Sequence, residues 1–332
     1  MGSERSIRLD FRAITDGVGS DALVRVFDEY WPAFRKWIDK SDTSDAGACI
    51  DAFRAHMPEL VPAFESLLDR LGGGDDVARF LSLYNPPRVV RACSQLVVES
   101  DGRPVILRTY DHHPDLFDGV VLASAWSGRD TLAVTDCLWG ALDGVNAEGL
   151  AVVLAFGGRK TVGDGFAAPM IVRYLLETCS TTADARLALE RLPIAMPYTF
   201  VVLDAQGDFV TAFLGPRRTA RFVGRRASTN HQGRVEWPAY AKHVESVPRL
   251  RLLERILSEP DAAAVARRRF LEPPLWRRDY ARASGTLYAS ALAPRDRTLT
   301  LLWPGEQRAY RVGETIDDAF AVELEGGAAP VT

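Results

Sequence analysis

Cysteines at positions 49, 93, 137 and 179 are the strongest nucleophiles in this chain of 332 residues, and only one has neighbours suited to activating a thiol. Cys49, Cys137 and Cys179 each sit inside an apolar pattern, where cysteine behaves as a small core hydrophobe. Cys93 instead opens the stretch CSQLVVES, just after the helix-breaking Asn-Pro-Pro of residues 85–87. Asp101-Gly102 then marks a hairpin that folds RPVILRTYD back onto it. A two-residue loop pairs Cys93 with Tyr110, and a three-residue loop pairs it with Asp111. Either register brings Asp111 close to the thiol. Arg108 faces away from Asp111 in a regular strand, so both serve one site only if the strand bulges or ends near Tyr110. A thiol beside a carboxylate and a guanidinium, with no imidazole firmly indicated, needs a base from elsewhere. A free α-amino group has a pKa of about 8 and suits that task at neutral pH. Cys93 carries one only if the Ala92–Cys93 bond is cut.

Two rival chemistries use the histidines. DHHPD, residues 111–115, has the look of a metal cluster, but adjacent histidines point to opposite sides of an extended chain and no H-E-x-x-H or cysteine pair supports them, so no metal is expected. A dyad of Cys93 with His112 or His231 is the other. No G-x-S-x-G elbow, Walker loop or dinucleotide fingerprint occurs, and no cofactor is expected. FGGRKTVGDGF, residues 156–166, reads as a loop bordering a substrate cleft and does not fit a phosphate cradle. Tyr110, Trp126 and Trp139 are candidates for an acyl pocket. The arginines of VARRRFL read as a solvated helix face.

The elements that must position these groups come in blocks. From Asp21 to about Tyr84 apolar residues recur at three- and four-residue spacing, predicting an all-helical segment. The next sixty residues are β-like, rich in Val, Ile, Leu and Thr between Asp-Gly, Gly-Arg-Asp and Glu-Gly turns, and predict an antiparallel meander. Two helices follow, the second capped by Ser180 or Thr181, then a hairpin, two more helices, and a final hairpin pair before ELEGGAAPVT, which reads as a frayed tail. Helices, sheet, helices, sheet in that order predict an α+β fold of segregated layers, two packed sheets with helices outside.

Composition narrows the partners. With 47% apolar residues the chain can bury a core without staples. A net charge of −4 lacks the positive excess that phosphate-backbone binding leaves in a sequence, so no nucleic acid is expected. No apolar run approaches the roughly 18 residues of a membrane span, and no membrane partner is expected. Widely spaced cysteines fit reduced thiols in a cytoplasmic compartment.

The Cys93 pattern resembles the N-terminal nucleophile (Ntn) hydrolases of the penicillin acyltransferase-like family, relatives of the choloylglycine hydrolases. RTYD, Arg108 to Asp111, is similar to the family's R-N-x-D at fifteen and eighteen residues past the cysteine. DGVNAEGLAV, residues 143–152, is similar to its G-x-N-E-x-G-L turn, and STNHQ to its T-N-H stretch. The resemblance covers residues 85–312. It implies a four-layer αββα sandwich, with a helical leader over 1–92 (a propeptide or small α subunit) and a catalytic domain over 93–332. It further implies Cys93 as nucleophile freed by self-cleavage after Ala92, Arg108 and Asp111 as its supports, Asn230 as oxyanion donor with Asn146 lining the site, and a late arginine, Arg249 or its rival Arg251. His231, directly after Asn230, joins the substrate-binding group. Ala92, Thr109 and Gln95 depart from the family pattern. The activity implied is hydrolysis or acyl transfer at a linear amide of a small acylated substrate, through a thioester and without cofactor. The product of self-cleavage would be an α/β heterodimer, with a higher homo-oligomer open. The alternative is an unprocessed, catalytically silent member used for binding or scaffolding.

Overall fold

The computed structural model describes residues 6–17, 20–40, 45–280 and 284–326. It opens on strand β1 (Ser6–Asp16) and helices α1 (Ala22–Ile38), α2 (Ala46–His56), α3 (Val61–Arg70) and α4 (Asp75–Ser82). Strands β2 (Ala92–Ser100), β3 (Arg103–His112), β4 (Val120–Ser124), β5 (Thr131–Asp136), β6 (Gly140–Asn146) and β7 (Ala151–Phe156) form the meander. Helices α5 (Ala168–Thr178) and α6 (Thr182–Arg191) precede β8 (Tyr198–Leu203), β9 (Phe209–Leu214), β10 (Arg221–Val223) and β11 (Ala227–Ser228). Helices α7 (Pro238–His243), α8 (Ser246–Ile256) and α9 (Ala262–Arg269) lead into β12 (Arg278–Asp279), β13 (Ser284–Ala293), β14 (Thr298–Trp303), β15 (Glu306–Arg311) and β16 (Asp317–Glu325).

The fold is α+β. One sheet runs β10-β9-β8-β7-β6-β5-β4-β1-β16 and the other β11-β2-β3-β13-β14-β15, with β12 on β13. Their inner faces meet where β2 and β3 lie over β7 and β8, and β13 and β14 over β6. Helices α5 and α6 cover the outer face of the first sheet, and α8 and α9 cover β2 of the second, which gives four layers. The inner strands are buried along their whole lengths, which is why they read as apolar runs without alternation. Thr181 caps α6, its hydroxyl accepting from Asp184 N while the Asp184 carboxylate accepts from Thr181 N.

Two expectations change. The leader is not helical throughout, because SIRLDFRAITD forms β1, antiparallel to β16 and parallel to β4 inside the large sheet. The tail is not frayed as far as Glu325, since Asp317–Glu325 is that same β16; residues 327–332 lie outside the described residues. Arg70 closes the leader with a double hydrogen bond to Asp16, at 2.9 and 2.7 Å, and Trp126 Nε1 donates to the same carboxylate. Among the described residues no helix is long and apolar enough to cross a membrane.

Phe11 is 1% exposed and packs against the rings of Phe117, Trp303 and Phe320. Phe11→Ala should therefore cost about 3–5 kcal/mol in urea unfolding, a large effect for a residue so near the start of the chain.

Candidate active site

The β2–β3 hairpin closes through two residues. Ser100 pairs with Arg103, and Asp101 and Gly102 both take positive φ, 52° and 69°. That register places Cys93 opposite Tyr110 and Ala92 opposite Asp111. No bulge interrupts β3 along β2, so Arg108 and Asp111 fall on opposite faces of the sheet. The irregularity lies in β13, between Thr286 and Tyr288. The two supports expected to share one site thus act from two sides.

On the inner face, Arg108 is fully buried and every nitrogen of its guanidinium is used. Nε donates to Leu154 O at 3.0 Å, Nη1 to Asp143 Oδ2 at 2.5 Å and Tyr288 Oη at 3.0 Å, and Nη2 reaches Cys93 Sγ at 3.4 Å. Ser290 Oγ also donates to Asp143. Burial pushes the Cys93 thiol up, and the Arg108 charge pulls it part of the way back. The Tyr110 ring lies 4.9 Å under the Arg108 guanidinium, and its buried hydroxyl has no partner among the described residues.

On the outer face, Asp111 accepts from Thr286 Oγ1 at 2.7 Å and pairs with Arg249 at 2.8 Å, both side chains fully buried. Arg249 also donates to Thr109 Oγ1, which accepts from Ser94 N as well. Arg251, the rival, is exposed. Asn230, two residues past β11, turns its Oδ1 onto Cys93 N at 3.0 Å, and its Nδ2 donates to Phe156 O at 3.1 Å and Arg91 O at 3.5 Å. Asn230 is thus the side chain that grips the amide of the Ala92–Cys93 bond.

The residues ahead of that bond are held as firmly. Arg91 pairs with Asp136 at 2.5 Å in a nearly dry setting, and Tyr240 donates to the Arg91 carbonyl. A cavity of about 490 Å³ between α1 and these residues is lined by Tyr30, Phe34, Trp37, Arg91, Asp118 and Asp136.

Several expected site residues go elsewhere. Asn146 does not line the site. It lies three residues after Asp143 on β6 and so faces the other way, where Nδ2 donates to Leu176 O and Cys179 O and Oδ1 accepts from Glu148 N and Leu150 N. Trp139 donates to Leu81 O and packs near Phe53, and Trp126 bonds Asp16; both fasten the leader and neither lines the cavity beside Arg91. His231 packs on α8 through Ser246 Oγ at 2.7 Å, and burial lowers its pKa. Burial also drives His112 down to about 2, while His113 accepts from Asp115 N, so the paired histidines part. Among the described residues no group of three His, Cys, Asp or Glu is placed to hold a metal. Asp143, Asp136, Arg91, Tyr240 and Tyr288 were not anticipated. A signal for Asp143 existed, since a carboxylate inside the apolar strand GALDGVN needs a buried cation.

Burial beside Asp136 pushes the Asp118 carboxyl up to about 8. Asp118 binds its proton more tightly folded than unfolded, so its contribution is complete below about pH 4 and is lost as pH rises through about 8. Asp118→Asn should consequently gain stability relative to the parent between pH 5 and 8, by at least about 1 kcal/mol in paired urea titrations.

No curated protein matches the chain. Among solved structures it is similar to a mutant of conjugated bile acid hydrolase from Clostridium perfringens, at 10% identity and a TM-score of 0.49 over 72% of this chain and 100% of that one. It is also similar to an N-acylethanolamine-hydrolyzing acid amidase ortholog from Caenorhabditis elegans, at 15% identity and a TM-score of 0.43 over 61% and 93% of the two chains. A third is penicillin V acylase from Agrobacterium tumefaciens, at 11% identity and a TM-score of 0.42 over 65% and 84%. The model of the acyl-coenzyme A:6-aminopenicillanic acid acyl-transferase family matches residues 97–308, beginning four residues after Cys93 and spanning well over half of the sequence. On that match, the chain belongs to the acyl-coenzyme A:6-aminopenicillanic acid acyl-transferase family.

Proposed function

We propose that this protein is an amide hydrolase or acyl-transferase that frees Cys93 as its own N-terminal nucleophile by cutting after Ala92. The observation that carries the reading is the double hold on one residue, with Cys93 N against Asn230 Oδ1 and Cys93 Sγ against Arg108 Nη2. Membership of an acyl-transferase family supports the reaction class, because acyl transfer to water is hydrolysis.

In the first stage Sγ attacks the Ala92 carbonyl carbon. The C–N bond to Cys93 breaks as the thiol proton passes to nitrogen, leaving Ala92 as a thioester and Cys93 with a free amine. Water then adds to the thioester, giving the Ala92 carboxylate and restoring the thiol. Asn230 Oδ1 fixes the amide that becomes the leaving amine, and Arg91, clamped by Asp136 and Tyr240, keeps the carbonyl from swinging away. In the second stage the α-amino group takes the thiol proton, Sγ attacks the substrate amide, and the amine passes that proton to the leaving nitrogen. Departure of the Arg91 carbonyl would free one hydrogen of Asn230 Nδ2 to stabilise the oxyanion while the other stays on Phe156 O. The acyl group then passes to water or to an amine. The cavity lined by Arg91, two residues ahead of Cys93, would offer the space for a linear acylated amide. Cleavage would make an α/β heterodimer, with the leader still joined through β1 to β4 and β16.

Intact mass of the purified protein should show fragments of roughly 10 and 26 kDa, at about 110 Da per residue. Cys93→Ala should stay whole at 36.6 kDa. Asn230→Ala should lower turnover of a cleaved amide by roughly 10²–10³-fold. A parent chain that remains whole on long incubation, or a Cys93→Ala protein that still cuts, would sink the mechanism and favour an unprocessed binding protein.

A further inference from the structure

Two residues after Asn230, Gln232 lines a second cavity, of about 540 Å³, at the end of β9. Arg218, Arg221, Arg225 and Arg234 form its walls, and Glu236 is the only carboxylate among them. Glu236 is already shared. It accepts two bonds from Arg218, at 3.0 Å each, and one from Arg159 Nε at 3.1 Å, with Arg234 at 3.8 Å. Arg221 lies over the Phe213 ring, and neither Arg221 nor Arg225 has a carboxylate partner among the described residues. Five guanidinium groups around one carboxylate, in a chain whose net charge is −4, leave a concentrated positive field at this spot.

A buried guanidinium backs this wall and adds to the charge. Arg159 is 7% exposed, and its Nη1 is buried without a partner among the described residues. That atom lies against Gly215 in the cavity wall, where a Cβ would come within 2.8 Å of it. Gly233, also in the wall, similarly makes room for Arg221 Nη2, which would be 2.9 Å from a Cβ there. Glycine at both positions gives these guanidinium groups room to pack against the wall. The loop that carries Arg159 has no phosphate-cradling backbone pattern; side chains do the work instead.

Arginine forks match phosphate oxygens two at a time, and an excess of several positive charges is met better by a multiply charged phosphate than by a single carboxylate. The volume exceeds what inorganic phosphate fills and falls in the range of small-molecule sites. The geometry points to a binding site for a phosphate-bearing small molecule, held by Arg221 and Arg225, with the buried Arg159 guanidinium behind the wall adding to the positive field. It does not depend on processing at Cys93.

Isothermal titration with inorganic pyrophosphate tests it. The parent protein should bind with one saturable site that weakens as salt rises, and Arg221→Gln/Arg225→Gln, both exposed positions, should weaken binding at least tenfold. Cys93→Ala should bind as the parent does, which separates this site from the proposed reaction. Absence of saturable binding, equal binding by the double variant, loss of binding in Cys93→Ala, or equal binding of the dicarboxylate succinate would each overturn the assignment.

Discussion

The buried ion pair between Arg108 and Asp143 is the contact on which the arrangement rests. Both side chains are fully excluded from water, a costly state that only complete satisfaction makes tolerable. Leu154 O, Tyr288 and Cys93 Sγ, together with Asp143, give every guanidinium nitrogen a partner, and Ser290 and Tyr288 share the carboxylate. The residues of this network come from β2, β3 and β13 in one sheet and from β6 and β7 in the other. Sliding either sheet by one residue would strand a bare charge in the interior, so the pair fixes how the two sheets register. It also spends its last nitrogen on the sulfur, so the constraint that aligns the sandwich is the one that orients the thiol.

The outer face repeats this logic with different chemistry. Asp111 and Arg249 form a second fully buried pair, with Thr286 donating to the carboxylate and Thr109 accepting from the guanidinium, whose Nε has no hydrogen-bond partner among the described residues. Thr109 stands where the family pattern has asparagine, and its hydroxyl links Arg249 to the backbone of Ser94. The start of β2 is therefore braced by cations from both sides, while Asn230 holds its edge. Such bracing suits a residue whose amide, carbonyl and thiol must keep fixed relative positions.

Much of this was legible where the signal was local. Asp101-Gly102 specified the hairpin, and the block order of helices and strands specified the layers. Separation in sequence hid the rest. Arg108 and Asp143 share no periodicity, and DGVN offered two polar side chains on opposite faces of one strand, of which the helix-facing Asn146 was the wrong choice. Trp126 and Trp139 were misplaced because both stand in turns between strands, where the sequence gives no hint of which layer the ring meets; here it is the leader. The charged stretch SIRLDFRAITD concealed a strand because Arg8, Asp10 and Arg12 line its more exposed side, and only pairing with β4 and β16 explains its burial.

That strand has a consequence for how the molecule survives stress. β1 lies between β4 and β16, so a chain severed after Ala92 would consist of two polypeptides woven into a single sheet. An intact precursor that unfolds can return by itself, at a rate independent of concentration. The severed form would have to find its lost strand in a bimolecular encounter, at the dilution prevailing when it came apart. Processing would thus turn a reversible fold into one whose lifetime is set by how slowly it opens, making it durable in use and hard to rebuild once melted.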